Sequence, residues 1–345
     1  MVARFNNKTQ LEVDAIDYMK VFGIIAVVVG HYAGMPFNYV HPYTFHMPLF
    51  FMIGGMLFKD EIFFKPLIAK LSKSMLLYAV ALNISLAVIS NLINHTFGTR
   101  IISLDSFSFY SAWDFFSKSG MSITGLFPVS WFLLSYAMGC IILYFLNKNC
   151  RNSHIALALC VIVGYVGMTC IADKYHESKF IFWNLLSQSM VAAMYMGIGK
   201  SLGRKLISDS NIVGFFFSFC VFYVCEKYGV LKPMVMYGST YPGGFLLQFL
   251  LSICGIYLIV FFSKTCASSS KPSLILFISR NTKTIMSFHI LFFVLIDVVM
   301  HYTTGYDLKR TETYRHFWSP WSWPLYISVG LLGPSFFAFL LQRKR

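Results

Sequence analysis

The chain has 345 residues, of which 57% are hydrophobic and only 12% charged, and its formal net charge is +14. About a quarter of the residues of a soluble domain are charged, so the composition excludes an ordinary soluble enzyme and points to an integral membrane protein. The positive excess belongs to loops that face anionic lipid, and nucleic acid is not an expected partner.

A ~30 Å hydrocarbon core needs about 20 apolar residues per helix. Ten stretches qualify as candidates: 17–34, 43–58, 66–92, 126–146, 154–172, 180–199, 211–228, 243–262, 274–299 and 323–341. The second is short, and the sixth is polar because it holds Asn184 and Gln188. The fold expected is all-α, a polytopic membrane protein of about ten transmembrane helices forming a single membrane-embedded domain over residues 1–345. No Pro/Gly/Ser linker and no internal repeat divides it. Sixteen Lys and Arg residues fall in the loops and termini on the N-terminal side, against nine on the other, and an even number of spans then puts both termini in the cytoplasm.

The first stretch lacks a small-residue cleavage site, which predicts a retained helix rather than a signal peptide. Within it, Asp17, Lys20, Ile24, Val27 and His31 recur at helical spacing. Lys20 and His31 lie within about 20° of each other and roughly 16 Å apart along the axis. Ionisable residues are costly in a membrane segment, so this stripe should face protein or water. Lys20 either pairs with Asp17 and snorkels, or meets a ligand from the cytoplasmic side. His31 ends a very apolar run and is the side chain best suited to exchange protons near neutral pH.

A short turn from Gly34 to Pro42 should return the chain so that a helix starting in Phe45-His46-Met47-Pro48-Leu49-Phe50-Phe51 lies beside the first. Pro48 is tolerated in a first helical turn, and Gly54 and Gly55 allow close helix packing. His46 then orients His31, relays a proton to it, binds an acceptor, or simply packs. Further along, Trp131 either lines a cavity or packs at the interface. The eight cysteines form no Cys-x-x-Cys pair and read as free thiols. Asp297 is a rare membrane carboxylate, and the i, i+4 spacing predicts a pair with His301. The segment from His301 to Trp323 mixes Tyr302, Tyr306, Tyr314, Trp318, Trp321 and Trp323 with charged residues, which suits sugar contact or an aromatic belt.

These elements together resemble the acyltransferase-3 superfamily of multi-spanning O-acyltransferases, closest to its fucose-4-O-acetylase-like and polysaccharide O-acetyltransferase branch. The family's first helix carries an Arg, ten residues, then a His; here Lys20 stands in the arginine's place before His31. Phe45 to Phe51 matches the Phe-His-x-Pro-Leu-Phe-Phe segment, with Gly54 where serine is common. Val129-Ser130-Trp131-Phe132-Leu133 resembles the Leu-Trp-Phe-Leu helix start. Ser279-Arg280-Asn281-Thr282, followed by His289, resembles the Gly-x-Asn-Ser-Leu…His element, with Ser279 for glycine and Thr282 for serine.

The resemblance implies transfer of an acetyl group from cytoplasmic acetyl-CoA, the acyl donor substrate, to a hydroxyl of a cell-envelope sugar such as O-antigen, capsule or exopolysaccharide. The setting it implies is a bacterial inner membrane, with a glycan or lipid-linked sugar as acceptor. His31 is the implied base, with His46 as its catalytic partner; an acetyl-histidine intermediate is the competing route. Lys20, Arg280, Asn281 and Lys283 are the candidates for CoA, and an ammonium at Lys20 is a point charge where a guanidinium would offer a bidentate fork. His289, Trp131 and Asp17 are the candidates for acceptor contact. No metal is expected. The rival reading is a transporter or flippase for a glycan or small solute, because membrane ionisable residues also mark transport paths.

Overall fold

The computed structural model describes residues 2–32, 40–59, 63–103, 113, 121–150, 152–269 and 272–343. The fold is all-α, and a helix stands at each of the ten expected places. In chain order these are α1 (Val2–Gly30), α2 (His46–Met56), α3 (Phe64–Phe97), α4 (Ser130–Asn149), α5 (Ser153–Ser178), α6 (Ile181–Asp209), α7 (Ile212–Lys227), α8 (Gly244–Ser269), α9 (Ser273–Thr304) and α10 (Ser322–Arg343). Seven of them, α3 to α6 and α8 to α10, are long and apolar enough to cross a membrane. Of the other three, α2 has 11 residues and α7 has 16, and α1 carries Asp14, Asp17 and Lys20 in the half that enters the bundle. Most of the turn expected from Gly34 to Pro42, namely residues 34–39, lies outside the described residues.

Large apolar side chains cover the bundle's outside, among them Val80, Ile84 and Val88 on α3 and Phe216 and Phe217 on α7. Helices bond their own backbone groups internally, so such a surface is suited to lipid tails. The interior is organised around α1 and α6. The first packs on α2, α8, α9 and α10, the second on α2, α4 and α5.

The α2–α6 crossing is unusually close, and glycine makes it so. A Cβ at Gly55 would fall on the Met196 carbonyl, and one at Gly199 on the Met52 carbonyl, so each backbone lies in the space a side chain would take. This is the close approach expected of small residues between membrane helices. Gly55→Ala should therefore push α2 off α6, costing stability by about 1–3 kcal/mol as overpacking does, and lower thermal stability in detergent. An unchanged melting temperature would contradict the crossing. The neighbouring Gly54 faces the Tyr136 hydroxyl, which occupies the place of a side chain larger than glycine.

The polar residues of α6 have a structural purpose. Asn184 donates to the carbonyl of Tyr237 at 2.9 Å, and Gln188 donates to the carbonyls of Met236 at 3.1 Å and Tyr237 at 2.9 Å. Ser239 donates back to Asn184 Oδ1 at 2.7 Å. A helix that carries amides at membrane depth thus ties down the loop between α7 and α8. All eight cysteines are free.

Candidate active site

Two cavities lie toward opposite ends of the same group of helices. The larger, about 390 Å³, is lined by His31, His46, Trp131, Tyr43, Tyr237 and Tyr314 among others. No Asp, Glu, Lys or Arg lines it among the described residues.

His31 follows the last residue of α1, its N–H still bonded to the Val27 carbonyl at 3.2 Å. The negative end of a 29-residue helix therefore faces the imidazole, and it stabilises positive charge that develops there. His31 is buried and its Nδ1 has no partner among the described residues, which leaves Nε2 as the nitrogen open to the cavity. The Tyr43, Tyr314 and His289 rings stand around it, at centroid distances of 6.1, 5.7 and 5.0 Å.

His46 is the first residue of α2. Its Nδ1 donates to the Pro42 carbonyl at 2.5 Å, so Nε2 carries the lone pair. The turn that presents it is pinned by Ser252 of α8, which donates to the Thr44 carbonyl at 2.8 Å. Burial pushes the Tyr43 phenol up to about 12 and raises that of Tyr314 as well. Both phenols stay protonated across the ordinary pH range and can donate to an oxygen in the cavity.

The smaller cavity, about 200 Å³, is lined by Lys20 and Ile24 of α1, Phe50 and Gly54 of α2, Phe132 and Tyr136 of α4, and Thr282, Lys283 and Met286 of α9. Ile24 and His31 are seven positions apart, so the two cavities are roughly 10 Å apart along α1. Phe50 and Phe132, with ring centroids 6.2 Å apart, line the smaller cavity one turn and one residue, respectively, from His46 and Trp131.

Lys20 and Lys283 are both held short of full freedom. Lys20 Nζ lies 3.2 Å from Asp17 Oδ1, and that carboxylate also accepts from Ser279 Oγ at 2.6 Å. The serine standing where the resemblance has glycine thus ties α9 to the partner of the lysine standing where it has arginine. Lys283 sits 3.5 Å from the centroid of the Tyr78 ring and donates to the Ser74 carbonyl, which a π-helical turn over Ser72–Leu76 presents. These two contacts fix its position.

The structure therefore brings His31, His46 and Trp131 to one cavity and Lys20 and Lys283 to the other. His289 does not line the first cavity but packs edge-on against the His31 ring. Arg280 is exposed, and Asn281 is turned back to the Phe277 carbonyl at 2.8 Å, so neither lines either cavity. Asp17 stands at the Lys20 end, away from the aromatic cavity, as a tie between α1 and α9.

Asp297 corrects the i, i+4 expectation. It is fully buried, and its partner is His316, whose Nδ1 lies 2.8 Å from Oδ2. His301 instead uses Nδ1 on the Tyr306 carbonyl at 2.7 Å. The loop lining Pro233 to Tyr237, together with His41 and Tyr43, was not anticipated at the site. Its only signal in the sequence is the pair of amides on α6 that hold it.

A family model described as an acyltransferase domain, Acyl_transf_3, matches residues 13–343. No curated protein and no solved structure matches the chain. With nearly all of its length covered by that match and its helices forming a polytopic bundle, the chain belongs to the acyltransferase-3 family and is a membrane acyltransferase.

Proposed function

We propose that this acyltransferase is an O-acetyltransferase of a bacterial inner membrane, moving acetyl from cytoplasmic acetyl-CoA to a hydroxyl of a cell-envelope sugar, with both termini in the cytoplasm. The observation that carries the reading is the pair of cavities on α1, α2 and α4, cationic at the Lys20 end and aromatic and uncharged at the His31 end. Lys20 and Lys283 suit the phosphates of CoA, and the apolar residues beside them suit its pantetheine arm. Trp131, Tyr43, Tyr237 and Tyr314 offer ring faces and phenols to a sugar.

In this reading His31 Nε2 takes the proton of the acceptor hydroxyl as its oxygen attacks the thioester carbonyl. Tyr43 and Tyr314 are the phenols nearest His31 that can donate to the oxyanion. Collapse breaks the C–S bond, and His31 returns the same proton to the departing sulfur. The products are an acetyl ester and a free thiol, and the histidine is restored.

The test is transfer of labelled acetyl from acetyl-CoA to envelope glycan in membranes containing the full chain, with mass spectrometry of the glycan naming acyl group and acceptor. Absence of any acylated glycan, relative to a deletion strain, would reject the acceptor class. Lys20→Ala and Lys283→Ala should each raise KM for acetyl-CoA roughly tenfold, the scale of one lost charge-assisted contact, with little change in KM for the acceptor. Lys20→Arg should retain activity, since the fork can serve both Asp17 and a phosphate. Equal effects on both KM values would remove the lysines from the donor site.

A further inference from the structure

Three of the buried imidazoles have their tautomer set by a neighbour. His46 gives its Nδ1 proton to the Pro42 carbonyl, and His316 directs Nδ1 at the Asp297 carboxylate. His289 directs Nδ1 at the carbonyls of Ile285 and Met286, both at 3.0 Å. In each neutral ring Nε2 is therefore the acceptor. His31 has no such partner, although its protonation matters most.

The two nitrogens that lack partners at this point are complementary. His289 Nε2 and His31 Nδ1 are both buried and unbonded among the described residues, and the two ring centroids are 5.0 Å apart, edge to face. An N–H···N bond of about 2.9–3.0 Å joins two imidazoles whose centroids are roughly 5 Å apart. Leaving both unmade costs about 1–3 kcal/mol for each buried group. A proton on His31 Nδ1 removes both penalties, whereas one on Nε2 would set two lone pairs against each other.

We propose that His289 is a positioning residue for the acyl transfer: its Nε2 accepts the Nδ1 proton of His31, fixing the tautomer that presents the His31 Nε2 lone pair to the cavity. The proposal rests on His31 acting as the base. When His31 takes the hydroxyl proton on Nε2, its Nδ1–H to His289 becomes a charge-assisted bond and strengthens. No proton passes to His289, whose own N–H stays on the backbone of α9. The groups facing His31 are His289 from α9, His46 from α2, and Tyr43, Tyr314 and His316 from the loops, with Asp297 reaching it only through His316.

The experiment compares His289→Gln with His289→Phe in the purified full chain. Glutamine can donate its amide to the same carbonyls and accept from His31 through its oxygen, but it does not titrate. Phenylalanine keeps the volume and accepts nothing. Phe should lower kcat about 10- to 100-fold, the usual cost of losing an orienting partner, with both KM values unchanged, and Gln should recover most of it with the wild-type pH profile. Wild-type kcat in the Phe variant overturns the proposal. So does an inactive but folded Gln variant, which would make His289 a titrating relay. The ¹⁵N shifts of the His31 ring, assigned by their absence in His31→Gln, should report Nδ1–H in the wild type and in His289→Gln, and a mixed population in His289→Phe. Nε2–H in the wild type overturns it independently of activity, so an active His31→Ala enzyme would reject the base while these shifts still test the pairing.

Discussion

His31→Ala should reduce acetyl transfer by about 10²- to 10⁴-fold, the usual contribution of a positioned general base, while leaving the protein folded. The fold should survive because the substitution lies just past the end of α1, where alanine breaks no turn of the helix. The residual rate would come from the phenols and from holding both substrates together. Transfer at the wild-type rate would reject His31 as the base and as a nucleophile alike. A second measurement separates those two roles. With acetyl-CoA and no acceptor, a nucleophilic His31 releases CoA in a burst and leaves acetyl on the enzyme, whereas a base releases none until a hydroxyl arrives.

Much of this site is legible from spacing. The eleven-position spacing from Lys20 to His31 puts one residue in each cavity, because a helix carries both on one face at known separation. Gly54 and Gly55 announce a close crossing, and the second of them meets the backbone of α6. What spacing does not give is contact between distant segments. The i, i+4 rule pairs Asp297 with His301, yet α9 ends three residues beyond His301 and that imidazole is drawn to the Tyr306 carbonyl, leaving the carboxylate to a loop residue nineteen positions on. Asn184 and Gln188 look like flaws in a span when read along one helix. They make sense only against the loop they hold, which lies about 50 residues away and is placed by tertiary packing. Asp17 shares the stripe of His31 but sits about four turns below it, where Ser279 meets it, so a common face is not a common site.

Asp297→Asn should be among the most destabilising single substitutions in the chain, at about 1–3 kcal/mol for each buried hydrogen bond it leaves unmade. All of its acceptor capacity is in use. Oδ2 accepts from His316 Nδ1 at 2.8 Å and from Thr311 Oγ1 at 3.0 Å, and Oδ1 accepts from the Phe317 N–H at 2.9 Å and from the Tyr326 hydroxyl at 2.5 Å. An amide has the same shape but turns one acceptor into a donor, so one pair of these groups is left facing N–H at full burial. Leucine at 297 strands all four, whereas Asp297→Leu combined with His316→Phe removes the carboxylate together with its imidazole partner and should recover part of the loss. Thermal unfolding of the three variants in detergent gives that order. The pair also anchors the loop that lines the aromatic cavity, since Tyr314 enters that cavity two residues before His316. In any variant stable enough to assay, loosening this anchor should raise KM for the acceptor and leave KM for acetyl-CoA near its original value, since the Lys20 cavity shares no residue with the loop. A rise in the acetyl-CoA KM instead would mean that the two cavities are mechanically coupled through α9, and that the loop is more than a wall of the acceptor site.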